Sequence, residues 1–196
     1  FVKENDICTA YSFTHAPNEA LALSGAKCVK YISCRDYVRL IKSSKLYSFA
    51  LRHGCNILFN ALEMQKKCEE MFPGNEDKLF TAYNIIDCEK AREDAKEELD
   101  EEYKEFYDTH RVIAFSSRFV DQKCQWDMLK SFELLKKDIP DAGLIFLGCR
   151  GEYENAVREM AKKSEYSNDI VFAGFQKNVF KFVSRADVFA MTSYYE

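Results

Sequence analysis

Short apolar runs alternate with stretches of helical periodicity along the whole of this chain, and that alternation limits its fold more than any other feature. The runs at residues 7–13, 28–33, 55–59, 79–83, 112–116, 144–147, 170–173 and 188–191 read as strands. Helical candidates lie between them at 18–24, 37–52, 61–71, 88–107, 123–138, 152–163 and 179–184. In the fifth, Met128, Phe132, Leu135 and Ile139 recur at the spacing of one helix face, and in the sixth Tyr153, Val157, Met160 and Ala161 do the same. Strands that alternate with helices in this way predict parallel sheets with helices on both faces, an α/β class.

A hydrophobic content of 47%, with 14% aromatic residues, is enough for real cores and excludes wholesale disorder. The net charge of -4 argues against a general nucleic-acid binder. Charge is unevenly spread. From Lys27 to Arg52 the single acid is Asp36, among Lys27, Lys30, Arg35, Arg39, Lys42, Lys45 and Arg52; from 87 to 105 acids predominate. Such a basic stretch is ordinarily a solvated helix face. Here Val38, Leu40, Ile41, Leu46, Tyr47 and Phe49 interleave with its cations, a composition that also suits peripheral contact with an anionic membrane.

The acidic stretch divides the chain: residues 1–86 form one α/β part, 87–109 a charged interdomain helix and linker, and 110–196 a second part that starts a new sheet. The eight cysteines include no CxxC pair and no metal-ligand spacing, so they read as small buried hydrophobes in a reducing cytoplasm, with no metal site. There is no apolar run of about 18 residues and no signal peptide pattern. A first residue of Phe1 and a stop at Glu196 just after an apolar strand lead us to expect a piece of a longer protein.

Doubly wound sheets bind ligands beyond the carboxyl ends of their strands. Four successive strand exits in the second part carry suitable chemistry. Arg118 and Lys123 follow the strand at 112–116; Gly148 to Gly151, then Gly174 with Phe175, then Ser193 to Glu196 follow the next three. Arg grips a diphosphate bidentately and Lys adds a point charge. Glycines let backbone approach a ligand, and a carboxylate suits sugar hydroxyls. In the first part His15, Arg35 and Asp36 are candidates for a ligand cleft. His15 reads more simply as a surface loop residue, while Arg35 and Asp36 either touch a ligand or pair with each other at a helix start. No GxGxxG follows any strand, which argues against a dehydrogenase.

The segments SRFVDQKCQWDMLKSFELL, AGLIFLGCRGEYENAV and DIVFAGFQKNVFKFVSRADVFAMTSYYE resemble the start of the C-terminal domain of group 1 glycosyltransferases of family 4. LFTAYNIID resembles that family's interdomain segment, and YISCRD a strand end found in polysaccharide-assembly members. The resemblance implies a GT-B fold, here parts of two Rossmann-like doubly wound domains, with an acceptor-side domain at 1–86 and a truncated donor-binding domain at 110–196.

It also implies retaining, hexosyl-type transfer from a nucleotide diphosphate-sugar to a glycan or lipid-linked acceptor in cell-surface polysaccharide synthesis, in the cytoplasm or at the inner membrane face. By resemblance Arg118 and Lys123 hold the donor diphosphate, and Glu196, the first glutamate of an E-x7-E motif, contacts the transferred sugar. Gly148, Gly174, Phe175 and Ser193 line the donor. The family is metal-independent, and no D-x-D occurs in this chain. Ser117 and Cys124 stand where the family has glycines, and the second glutamate lies beyond Glu196. A non-catalytic nucleotide-sugar-binding module, an inactive relic and a GT-B-fold epimerase are the alternatives.

Overall fold

The computed structural model describes residues 4–35, 41–42 and 45–195. It divides into two compact units, Phe1–Ile85 and Ile86–Glu196.

In the first unit β1 (Thr9–Ser12), β2 (Val29–Cys34), β3 (Cys55–Phe59) and β4 (Leu79–Thr81) form one parallel sheet in that order. Parallel neighbours need crossovers, here α1 (His15–Leu23), α2 (Lys45–Arg52) and α3 (Leu62–Met71). Register sets Ile32 beside Ile57 and Ile57 beside Leu79, and this row is buried under Ala22, Tyr47, Ala50, Leu51 and Cys68 of the helices. Residues one step along point the other way: Tyr11 stacks on Tyr31 at 4.9 Å and stays 59% exposed. The helix expected over 37–52 falls partly outside the described residues. Its described end, α2, buries Leu46, Tyr47, Ala50 and Leu51 on one face and leaves Lys45 and Arg52 exposed.

The second unit holds α4 (Cys88–Asp94), α5 (Glu101–Thr109), β5 (Arg111–Ser116), α6 (Gln125–Leu135), β6 (Ala142–Leu147), α7 (Glu154–Lys163), β7 (Ile170–Gly174), α8 (Phe180–Val183) and β8 (Val188–Phe189). Its parallel sheet runs β7-β6-β5-β8. Alternate residues feed two cores. Ile113, Phe115, Leu144 and Phe146 pack with Met128, Leu129 and Phe132 of α6 and with Val157 and Ala161 of α7. Val112, Ala114, Ile145 and Leu147 meet Leu99, Phe106 and Phe182 on the other face. The sheet is therefore doubly wound, and it reverses direction between β5 and β8.

Two sequence expectations need correction. The charged stretch at 88–107, which reads from sequence as one solvated helix, forms two helices, and the second is not simply solvated. Leu99 and Phe106 are buried against the sheet, and the Tyr107 hydroxyl donates to the Phe182 carbonyl at 3.1 Å. Acids outnumber the apolar residues there, but the apolar ones share a face. Met160, expected on the buried stripe of α7, is 41% exposed, because Val157 and Ala161 already occupy the contact.

At the amino ends of β5, β6 and β7 a buried ionic cluster ties the unit together. Lys136, with its side chain 5% exposed, donates to the carbonyls of Pro140 and Ala142 and pairs with Asp169 at 2.7 Å, which uses all three of its N–H donors. The second Asp169 oxygen lies 3.0 Å from His110 Nε2, and His110 stacks on Phe106. Burial raises the Asp169 pKa, but the hydrogen bonds and charges of Lys136 and His110 outweigh it and hold the carboxyl below its usual range. A depressed carboxylate contributes stability above its unfolded pKa and loses it as pH falls through the folded value. Asp169→Asn should therefore flatten the acid limb of a stability-versus-pH curve below about pH 4. Lys136→Met should cost about 1–3 kcal/mol by denaturant titration at pH 7, because it leaves the half-buried Asp169 with one partner fewer.

Candidate functional site

All four strands of the second sheet end at one edge, and their exits are bonded to one another in spatial order. Gly148 N donates to the Gly174 carbonyl at 2.7 Å, joining the β7 and β6 exits. Ser117 N reaches the Leu147 carbonyl at 3.1 Å, and Phe119 N the Arg150 carbonyl at 3.2 Å, joining β6 to β5. Across the β5–β8 gap, Tyr194 N donates to the Gln122 carbonyl at 2.9 Å and Gln122 Nε2 to the Tyr195 carbonyl at 2.7 Å. Thr192 Oγ1 donates to the Cys124 carbonyl at 2.8 Å, with that of Lys123 at 3.2 Å.

This contact requires glycine. A Cβ on Gly148 would stand 2.2 Å from the Ser117 carbonyl oxygen, and one on Gly151 would stand 1.9 Å from that of Phe119. Both sit at positive φ, 131° and 150°, where side chains are strained in any case. Gly174, at φ 70°, instead faces open space.

Arg118 lies exposed in the loop after β5, and among the described residues no carboxylate pairs with its guanidinium. Lys123 closes a 3-10 turn, Asp121–Lys123, and is half-buried. Cys124 follows in the left-handed conformation (φ 49°, ψ 48°), fully buried, and starts α6. Phe175 is 75% exposed beyond β7. Ser193 is half-buried beyond β8, and its Oγ is buried without a hydrogen-bond partner among the described residues. Thus Arg118, Lys123, Gly148, Gly174, Phe175 and Ser193 share one edge of one sheet; Glu196 lies outside the described residues.

Gln125 is a participant that sequence reasoning missed. Fully buried at the start of α6, it donates through Nε2 to the Arg118 carbonyl at 2.6 Å and to Ser117 Oγ at 3.0 Å, clamping the turn that carries Arg118. Its Oε1 is buried without a partner among the described residues. The two orphaned polar atoms, on Gln125 and Ser193, thus belong to the segments that bound the β5–β8 reversal. A polar side chain at a helix start after a basic residue was the only available signal, and a solvated residue would have looked the same.

A sequence profile described as glycosyl transferases group 1 matches residues 96–196. The chain belongs to that family. An uncharacterized glycosyltransferase of Methanocaldococcus jannaschii is 28% identical over 150 residues, covering 76% of this chain and 37% of the relative. A GDP-mannose-dependent monoacylated alpha-(1-6)-phosphatidylinositol monomannoside mannosyltransferase of Corynebacterium glutamicum is 34% identical over 88 residues, 44% of this chain and 22% of the relative. The matched stretch thus spans well under half of either curated relative. Among solved structures, that of Anabaena HepE in complex with UDP aligns with a TM-score of 0.77 at 16% identity, over 97% of this chain and 54% of that one. The fold is that of GT-B glycosyltransferases.

In this family member's first unit, His15 opens α1 just past β1, and Arg35 follows β2 with its guanidinium 5.8 Å from the Phe13 ring centre. Both therefore sit at the carboxyl edge of that sheet; Asp36 lies outside the described residues. Asn18, unremarked in the sequence, holds this edge together from within α1. It accepts from Ser12 Oγ at 2.7 Å and donates to the Ser33 carbonyl at 2.7 Å, joining the ends of β1 and β2. Among the described residues no group of three or more His, Cys, Asp or Glu side chains could hold a metal ion, and no helix is long and apolar enough to cross a membrane.

Two neighbouring substitutions should separate the roles of backbone and side chain here. Gly148→Ala should cost about 2 kcal/mol or more in urea unfolding and displace the Arg118 loop, since backbone cannot yield to backbone at that distance. Cys124→Gly should stay within about 1 kcal/mol of the parent, because relief of left-handed strain offsets the lost burial of the thiol.

Proposed function

We propose that this chain is the central part of a glycosyltransferase that moves a sugar from a nucleotide diphosphate-sugar to a glycan or lipid-linked acceptor, with retention of configuration and a hexose as the transferred group. Cell-surface polysaccharide assembly is the setting we assign to it. Residues 1–86 form the acceptor side, 110–196 the start of the donor-binding domain and 87–109 the segment between them. The reading rests chiefly on the arrangement of Arg118 and Lys123 beside the β5–β8 reversal of a doubly wound sheet. Doubly wound sheets bind their ligands beyond the carboxyl ends of the strands at such a reversal.

In the reaction, the bond between the sugar's anomeric carbon and the diphosphate breaks with its electron pair going to the diphosphate. The acceptor oxygen then bonds that carbon and gives up its proton to the departing diphosphate. Negative charge therefore grows on the diphosphate, and Arg118 and Lys123 stabilise it as preorganised cations. They take the part a divalent metal would otherwise play, which makes the proposed chemistry metal-independent. Gly174 leaves room for the donor, the exposed Phe175 ring offers a face to the nucleobase, Gly148 brings main chain close, and Ser193 and Glu196 address the sugar. Arg35, Asp36 and His15 lie on the acceptor side. The UDP of the HepE complex and the GDP-mannose dependence of the Corynebacterium relative make both nucleotides reasonable first probes.

Calorimetric titration of UDP and GDP should show binding of at least one by the parent. Arg118→Ala combined with Lys123→Ala should weaken that binding about a hundredfold, the loss of two charge-assisted contacts. A folded parent that binds neither diphosphate, or a variant that binds as well as the parent, would sink the donor assignment.

A further inference from the structure

A hollow of about 600 Å3 in the first unit lies between α2 and the turn after α3, lined by Lys42, Lys45, Ser48, Arg52, Asn75 and Phe72. Its polar wall is one helical stripe: Lys45, Ser48 and Arg52 stand at i, i+3 and i+7 along α2. Phe72, which packs on the core, and Leu51, 3% exposed, contribute apolar surface. No acid lines the hollow among the described residues. Glu76, in the turn that follows, accepts from Gly74 N at 2.9 Å.

Lys90, Lys104, Lys162 and Lys181 each lie within 3.1 Å of a carboxylate, whereas the three cations of this hollow are exposed and, like Arg118, have no such partner among the described residues. Among the described residues, no such partner serves Lys42, Lys45 or Arg52; Arg52 donates only through Nε, to the Ser48 carbonyl at 3.2 Å. Three like charges around one concavity raise its potential and favour an anion within it. An Arg fork, two ammonium groups and a hydroxyl together match a tetrahedral phosphoryl oxyanion. The volume is that of an organic ligand and exceeds what an isolated phosphate needs.

We infer that this hollow is a binding site for a phosphate monoester or diester, with Lys42, Lys45 and Arg52 holding the phosphoryl oxygens and Leu51 and Phe72 meeting the attached organic group. The site uses none of the residues assigned to the donor, so it stands or falls apart from that reading. Its phosphoryl group is supplied either by an anionic lipid headgroup or by a small phosphorylated molecule.

Sedimentation with phosphatidylglycerol–phosphatidylcholine vesicles, against phosphatidylcholine alone, tests the first source, and calorimetry with glycerol 3-phosphate tests the second. A Lys42→Gln, Arg52→Gln double variant should bind at least one probe about tenfold more weakly than the parent. An Arg118→Ala, Lys123→Ala variant should retain that binding. Weakening toward vesicles alone identifies the lipid headgroup; weakening toward glycerol 3-phosphate identifies the small molecule. Equal binding by parent and double variant, or binding of neither probe by the parent, overturns the site. Should the double variant fail to fold, amine acetylation of the parent decides: the bound probe should protect Lys42 and Lys45, and unchanged labelling of both counts against the site.

Discussion

Parallel strand pairing is the constraint from which the rest of this structure follows. Two parallel neighbours cannot be joined by a tight turn, so every connection crosses over through a helix, and every strand delivers its carboxyl end to the same edge. In the second unit the chain lays down β5, β6 and β7 in one direction and then crosses back to place β8 on the far side of β5. The loops after β5 and β8 therefore flank that reversal, Arg118 and Lys123 on one and Ser193 on the other, and they are hydrogen-bonded to each other there. The first unit adds its described strands in one direction only, so it collects His15 and Arg35 at an edge without such a reversal.

Edge loops stay ordered only if they hold one another, and here they do so through main chain. Gly148 and Gly151 allow carbonyl oxygens of Ser117 and Phe119 to approach where any Cβ would collide. Cys124 meets a similar demand in another way: it accepts left-handed backbone, with its thiol fully buried and its carbonyl held by Thr192. Electrostatics follows burial at the opposite edge. Lys136 is tolerated in the core because each of its protons has an acceptor, whereas Lys42, Lys45 and Arg52 remain hydrated around an open hollow.

Much of this was legible in advance, for identifiable reasons. Each apolar run expected as a strand overlaps one, because a strand buried on one or both faces leaves a short, dense hydrophobic signature. The basic residues and glycines after those runs could be placed at strand exits as soon as the alternation was recognised. Other features left weaker marks. Phe106 and Leu99 were obscured by the acids around them, and their burial depends on a sheet formed by residues far along the chain. Asn18 and Gln125 looked like ordinary polar helix residues, since nothing local distinguishes a solvated amide from one clamped between two strand ends. His110 carried no visible role, yet it shares Asp169, 59 positions away, with Lys136.

Local pattern was therefore sufficient for the α/β class, for the succession of strands along the chain and for the residue types offered at each strand exit, because these depend on periodicity and on neighbours within a turn or two. The strand order β7-β6-β5-β8, and with it the choice of exits that border the reversal, came from the packed fold alone. So did the pairing of some cations with carboxylates and the close approach of particular glycines to another loop. Those outcomes depend on contacts between segments distant in the chain, where the free energy is set by packing and desolvation that no local pattern records.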